Sequence, residues 1–189
     1  MAARLAAHKI VVAGGFGAGK TTFVGAVSEL PPLTTEERLS AAGTGTDDLT
    51  GVDGKSTTTV YMDFGRITLH AHGIELLLFG TPGQDRFWFA WDDLAKGAVG
   101  AVVLADTRRL TESFHAIEYF EKRRLPFAVA VNEFEGAHQY AEDDVRDALG
   151  LPPGVPVVTC DARERDSVKH VLITLAQHAL DRSSTPAPV

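Results

Sequence analysis

The chain has 189 residues and a formal net charge of −7, long enough for one well-filled core and too acidic for nucleic acid to be its main partner. Its single cysteine, Cys160, excludes an internal disulfide and suits a reducing, cytoplasmic setting. The opening MAARLAAHK is too short for a secretory signal, no apolar run approaches the roughly 18 residues of a membrane span, and neither end carries an acylation or prenylation motif.

In chain order, residues 1–8 read as a short arm, 9–180 as one domain, and the polar, proline-containing 181–189 as a disordered tail. An apolar run at 10–13 reads as a buried strand and leads into GGFGAGKTT, where Gly14, Gly19, Lys20 and Thr21 match the spacing G-x-x-x-x-G-K-[ST]. The next residues continue as a helix with Phe23, Val24 and Val27 turned inward. Glycines in such a loop let successive N–H groups converge on one phosphate, and the helix start adds roughly half a positive charge on the same side. The candidate nucleotide-binding residues are therefore Gly15, Phe16, Gly17, Ala18, Gly19, Lys20, Thr21 and Thr22. Lys20 reaches the β- and γ-phosphates, and the Thr21 hydroxyl is a ligand for Mg²⁺.

Pro31 and Pro32 stop regular structure, and the polar stretch 33–55 reads as a long loop of the kind that is functional in compact domains. Residues 57–69 read as a strand with Val60, Met62 and Phe64 on one face. Ile67 and Leu69 fall out of phase with them, which predicts a bulge at Gly65. A turn at 70–73 joins this strand to a central strand at 74–79 as a hairpin. An aromatic helix at 85–96, a strand at 99–105 and a helix carrying Leu110, Phe114, Ile117 and Phe120 follow. A strand at 127–131, a helix at 142–149 and a strand at 155–159 precede a last helix striped by Val168, Val171, Leu172, Leu175 and Ala179. The alternation predicts an α/β fold of the P-loop NTPase kind: a mostly parallel six-stranded sheet, one antiparallel edge strand, and helices on both faces. Ligands then sit at the carboxyl ends of the strands.

Two further groups of residues fall at those ends. The segment GTPGQ follows the third strand; the N–H of Gly83 is placed to sense a γ-phosphate, and Gln84 to hold a water in line for attack. Strand five ends in Asn132-Glu133-Phe134-Glu135 and strand six in Thr159-Cys160-Asp161-Ala162. Asn132 and Glu135, with Cys160, Asp161 and Ala162 beside them, are the candidate base readers. A carboxylate accepts from N1–H and the exocyclic amine of guanine, whereas adenine presents a lone pair at N1 and would leave a charge unpaired.

The order of these motifs resembles the Ras-like small GTPases, and within them the bacterial MglA-like type that includes the actinobacterial conservon GTP-binding proteins. The resemblance spans residues 9–180 and rests on GGFGAGKTT, TTTVYMDFG and LFGTPGQDRFW. It implies a molecular switch with GTP/GDP and Mg²⁺ as cofactors, a switch loop before Val60 whose Thr59 (Thr58 in the alternative register) meets the metal, and catalysis by Lys20, Thr59 and Gln84. The carboxylate that usually opens the second switch motif is Gly80 here, and Asp63 on the neighbouring strand is the candidate replacement. NEFE departs from N-K-x-D by losing the lysine beside the base, and CDA departs from SAK. No arginine stands where the gliding-motility GTPase supplies its own, Arg86 being a possible substitute, so slow hydrolysis is expected. By the same analogy the partner is a roadblock-fold, MglB-like regulator met through Phe87, Trp88, Phe89 and Trp91. Two other readings stay open: a nucleotide-loaded scaffold with little hydrolysis, and an ATP-dependent P-loop enzyme.

Overall fold

The layering follows from the first strand, which is apolar on both sides. In the computed structural model, which describes residues 5–31, 33–39, 58–83 and 90–184, β1 (Ala6–Gly14) sends Ile10 and Val12 to one face of a sheet and Val11 and Ala13 to the other, all four buried. Such a strand must be covered twice. On one face lie α1 (Lys20–Val27) and α5 (Arg165–Ser184), through Phe23, Val24, Val27, Val168, Val171 and Leu175. On the other lie α3 (Phe114–Lys122) and α4 (Glu142–Leu149), through Ile117, Phe120, Val145 and Leu149.

The sheet runs β2 (Leu33–Leu39), β3 (Thr58–Leu69), β4 (Ile74–Gly80), β1, β5 (Ala98–Ala105), β6 (Phe127–Asn132) and β7 (Val157–Cys160). β4, β1, β5, β6 and β7 are parallel, and β3 runs against both of its neighbours. The expected mostly parallel α/β architecture is thus present, with one strand more than the six expected. Residues 33–39, read as the start of a loop, form a seventh strand that pairs antiparallel with β3 from Leu33↔Phe64 to Leu39↔Thr58. Its sequence, LTTEERL, is polar and charged as sheet edges are, and an edge strand of this kind carries no buried-strand signal. It also displaces β3 from the edge.

Gly65 is not a bulge. β3 and β4 pair without interruption from Phe64↔Phe79 to Leu69↔Ile74. The apolar phase changes because the strand buries different faces along its length: Phe64 meets Phe79 with ring centroids 5.1 Å apart, while Ile67 and Leu76 pack on the α1 side. What Gly65 supplies is room, since a Cβ there would lie 2.6 Å from Val24 Cγ1 and 3.2 Å from Ser28 Cβ. Gly65→Ala is expected to cost about 1–3 kcal/mol in urea unfolding through overpacking, with less than additive loss when combined with Val24→Ala.

The ends also shift. β1 starts at Ala6, inside the stretch read as an arm, and α5 continues to Ser184, four residues into the expected tail. Of the predicted helix at 85–96, the described part is α2 (Ala90–Ala95). Among the described residues no helix is long and apolar enough to cross a membrane. The connections out of β1 and β4 lead to opposite sides of β1, which makes its carboxyl end the topological switch point of the sheet.

Candidate nucleotide-binding site

At that switch point the loop from Gly14 to Gly19 turns into α1. Gly19, the residue before the helix, has φ +102°, and a Cβ on it would sit 2.5 Å from the Asn132 amide nitrogen; both facts demand glycine there. Lys20 is buried and folds back over the loop, its ammonium donating to the carbonyls of Gly14 (2.9 Å) and Gly15 (2.7 Å). Burial pulls this ammonium down to about 8, while the carboxylates of Asp63 and Glu112 act in the opposite sense. A Cβ on Gly83 would lie 2.8 Å from Lys20 Nζ and 3.0 Å from Phe16 Cα, so the backbone of Gly83 rests directly on the loop where the sequence reading places it.

The Thr21 side of the loop is equally compact. Thr21 Oγ1 donates to Asp63 Oδ2 at 2.8 Å. Gly80 lies across from Asp63, and a Cβ at position 80 would stand 2.9 Å from both Asp63 Cβ and Asp63 Oδ2. The strand end that has no carboxylate is the one that leaves space for the neighbouring strand's carboxylate. Thr59 is not brought to this point. It lies within β3, paired with Arg38 of β2, and the four steps from it to Asp63 span roughly 13 Å of strand. Gln84, Arg86, Phe87, Trp88 and Phe89 lie outside the described residues. Trp91, the remaining aromatic of the expected partner surface, is half-buried on Tyr119 and Phe120 at centroid distances of 5.2 and 6.0 Å. Trp91 thus packs part of its ring against the core and stays part-exposed.

On the other side of the loop a cavity of about 400 Å³ is walled by Gly17, Gly19, Thr22, Arg108, residues 132–135 and residues 161–163. Asn132 stands beneath it as a brace: buried, it donates to the Ala18 carbonyl and accepts from the Ala162 N–H, both at 3.0 Å. Its amide, the expected base reader, also ties the loop to the end of β7. Glu135 lines the cavity as expected. Cys160 does not, because the strand pleat turns it into the core, fully buried, where its thiol is pushed up to about 11. Asp161 lines the cavity, but its carboxylate is paired with Arg163 Nε and Nη2 at 2.9 and 2.7 Å, which with the Arg163 N–H holds it down to about 2.

Comparison with known proteins decides the family: the family model described as "conserved hypothetical ATP binding protein" matches residues 12–182. The chain belongs to this family. A curated relative, the uncharacterized protein MJ1339 of Methanocaldococcus jannaschii, is 30% identical over 127 residues, covering 66% of this chain and 69% of the relative. The Ras-related protein SEC4 of Saccharomyces cerevisiae is 23% identical over 128 residues, or 64% of this chain and 60% of SEC4. Among solved structures, the G domain of the T. maritima FeoB iron transporter superposes with a TM-score of 0.62 at 19% identity, covering 92% of this chain and 99% of that one. The small-GTPase form of the P-loop fold is therefore shared.

Two residues of this ATP-binding-protein family member escaped the sequence reading. Arg108 and Arg109 follow β5 in the short helical segment Thr107–Ser113. Arg109 Nη2 donates to the Phe16 carbonyl at 2.7 Å and Nη1 to Glu112 at 3.2 Å, buttressing the outer curve of the loop. Arg108 grips Asp106 and lies over the Phe134 ring. The signal was present, since both sit at the carboxyl end of a strand next to the phosphate loop, where ligand contacts gather.

Proposed function

We propose that this chain is a guanine-nucleotide switch of the MglA-like kind that hydrolyses GTP slowly with Mg²⁺. The observation that carries the proposal is the Thr21–Asp63 bond beside Lys20: a hydroxyl and a carboxylate, both hard oxygen donors, meet next to a lysine held in a phosphate loop. Mg²⁺ is usually held by one or two protein oxygens plus waters and phosphates, so this pair fits it. Bound there, Mg²⁺ would offset charge on the phosphoryl oxygens.

The residues of the chain divide the remaining work. Loop N–H groups and Lys20 grip the phosphates, Thr21 is the direct metal ligand, and Asp63 orients its hydroxyl. Gly83 senses the terminal phosphoryl, Gln84 orients the attacking water, and Thr59 joins only if the start of β3 leaves β2. Slow turnover is favoured because Arg108 and Arg109 are both engaged, with Asp106 and with Phe16 and Glu112. Lacking an arginine at the phosphates costs such enzymes roughly 10³- to 10⁵-fold in rate. The partner in this reading is a roadblock-fold regulator met through Phe87, Trp88, Phe89 and Trp91, in the cytoplasm.

A second reading, an ATP-dependent P-loop enzyme, is favoured by the commitment of Asn132 to the backbone and by the nearness of Arg163 to Glu135, which leaves guanine selectivity to one shared carboxylate. The family's own description points the same way. The deciding experiment is to denature purified protein, identify the released nucleotide by chromatography, and compete labelled GDP with ATP. Release of GDP or GTP, with ATP failing to displace label at equal concentration, is the expected result; equal displacement defeats the guanine reading. Single-turnover hydrolysis with and without a roadblock partner then separates a switch from a non-hydrolysing scaffold.

A further inference from the structure

The wall of the 400 Å³ cavity contains one side chain whose rigidity exceeds what its position on a surface turn requires. Arg108 donates through Nε and Nη2 to the two oxygens of Asp106 at 2.9 and 2.8 Å, and the Arg108 N–H adds a third bond at 3.0 Å to the same carboxylate. Asp106 is itself only 4% exposed, so the anchor is fixed. One face of the guanidinium lies on the Phe134 ring, 3.8 Å from its centroid. With its edge locked and one face covered, the opposite face remains, and the side chain is 47% exposed.

We propose that this remaining face is the platform on which the base of a bound nucleotide stacks, making Arg108 an affinity-determining residue of the base cavity. The inference rests on the nucleotide-binding reading above and deepens it. Two arguments support it. The cavity opens between the phosphate loop, through Gly17 and Gly19, and the Arg108–Phe134 pair, so a nucleotide anchored by its phosphates at the loop would carry its base toward that pair. An arginine plane is weakly hydrated and stacks on aromatic faces, and one already immobilised forfeits little rotamer freedom on doing so.

Stacking reads a π-face, which every base possesses, so Arg108 contributes to affinity without choosing between purines. The test is equilibrium binding of GDP and of ADP to the full chain and to its Arg108→Ala and Arg108→Lys variants, with pyrophosphate as a competitor that carries phosphates and no base. Arg108→Ala is expected to weaken whichever nucleotide the wild type binds by roughly 10- to 100-fold. Arg108→Lys, which keeps the ion pair with Asp106 but has no plane, should recover less than half of that loss on a logarithmic scale. The pyrophosphate inhibition constant should be unchanged in both. Nucleotide affinity within twofold of wild type in Arg108→Ala, full recovery by lysine, or an equal loss for pyrophosphate each overturns the stacking role. Wild-type protein that takes up neither nucleotide defeats the nucleotide-binding reading instead, a result distinct from the other three.

Discussion

Replacing Lys20 by methionine is expected to abolish measurable nucleotide binding while leaving the empty protein about as stable as before. The ammonium is buried and already desolvated, and it satisfies itself on the Gly14 and Gly15 carbonyls. Charge-assisted bonds to two phosphates, at about 1.5–3 kcal/mol each, amount to roughly 10²- to 10⁴-fold in affinity. A buried charge is costly to the empty fold, so a methionine that keeps the alkyl stem should shift unfolding by no more than about 1 kcal/mol. Loss of binding with retained stability is the signature of a functional rather than a structural lysine. Calorimetric titration and urea unfolding of the same preparation check both halves; a variant that still binds within tenfold of wild type refutes the assignment.

The same lysine predicts a pH dependence. Its ammonium titrates near 8 in the empty site, chiefly because of burial, and a bound phosphate would favour the charged form and raise that value. Between about 8 and the raised value, binding takes up a proton, so affinity falls as pH rises through 8 and is insensitive below it. Titrations at pH 8.5 in two buffers of different ionisation enthalpy should report that uptake, and titrations of the same protein well below pH 8 should not.

The loop was legible because its chemistry is local: glycine spacing, a lysine and a threonine within eight residues dictate the cradle without help from the rest of the fold. The buried strands were legible for a similar reason, since β1, β5 and β6 are apolar on both faces and admit no other reading. Where the reading failed, the deciding contact came from elsewhere. Gly65 looked like a bulge because its reason is Val24 on α1, forty-one residues earlier. β2 looked like a loop because its sequence, LTTEERL, has neither an apolar run nor an apolar alternation. Cys160 and Asp161 are adjacent, and only the pleat of β7 decides which of them faces the cavity. Arg108 and Phe134 stand twenty-six residues apart and meet because β5 and β6 are neighbours. Trp91 meets Tyr119 and Phe120, contacts that depend on α3 and that no local pattern announces.

The reciprocity between Asp63 and Gly80 yields the second large prediction. A carboxylate that orients the Thr21 hydroxyl can come from the end of β4 or from β3, but steric contact forbids both at once: a Cβ at position 80 already stands 2.9 Å from Asp63 Oδ2. Asp63→Ala should therefore remove the Mg²⁺-dependent increment of nucleotide affinity, and losses of roughly 10- to 100-fold are typical when a group that orients a metal ligand is deleted. Gly80→Ala should produce most of the same loss although it adds only a methyl group and touches no nucleotide, because it pushes Asp63 away from Thr21. The double variant Asp63→Gly, Gly80→Asp removes the Cβ at position 63 that a side chain at 80 would meet and places a carboxylate at the other strand end, and it should recover the increment. Affinities measured with Mg²⁺ and with chelator give the increment directly. Asp63→Ala protein that retains it in full would show that the Thr21–Asp63 bond serves only to hold α1 against β3, and the rescue by Gly80→Asp would then have nothing to restore.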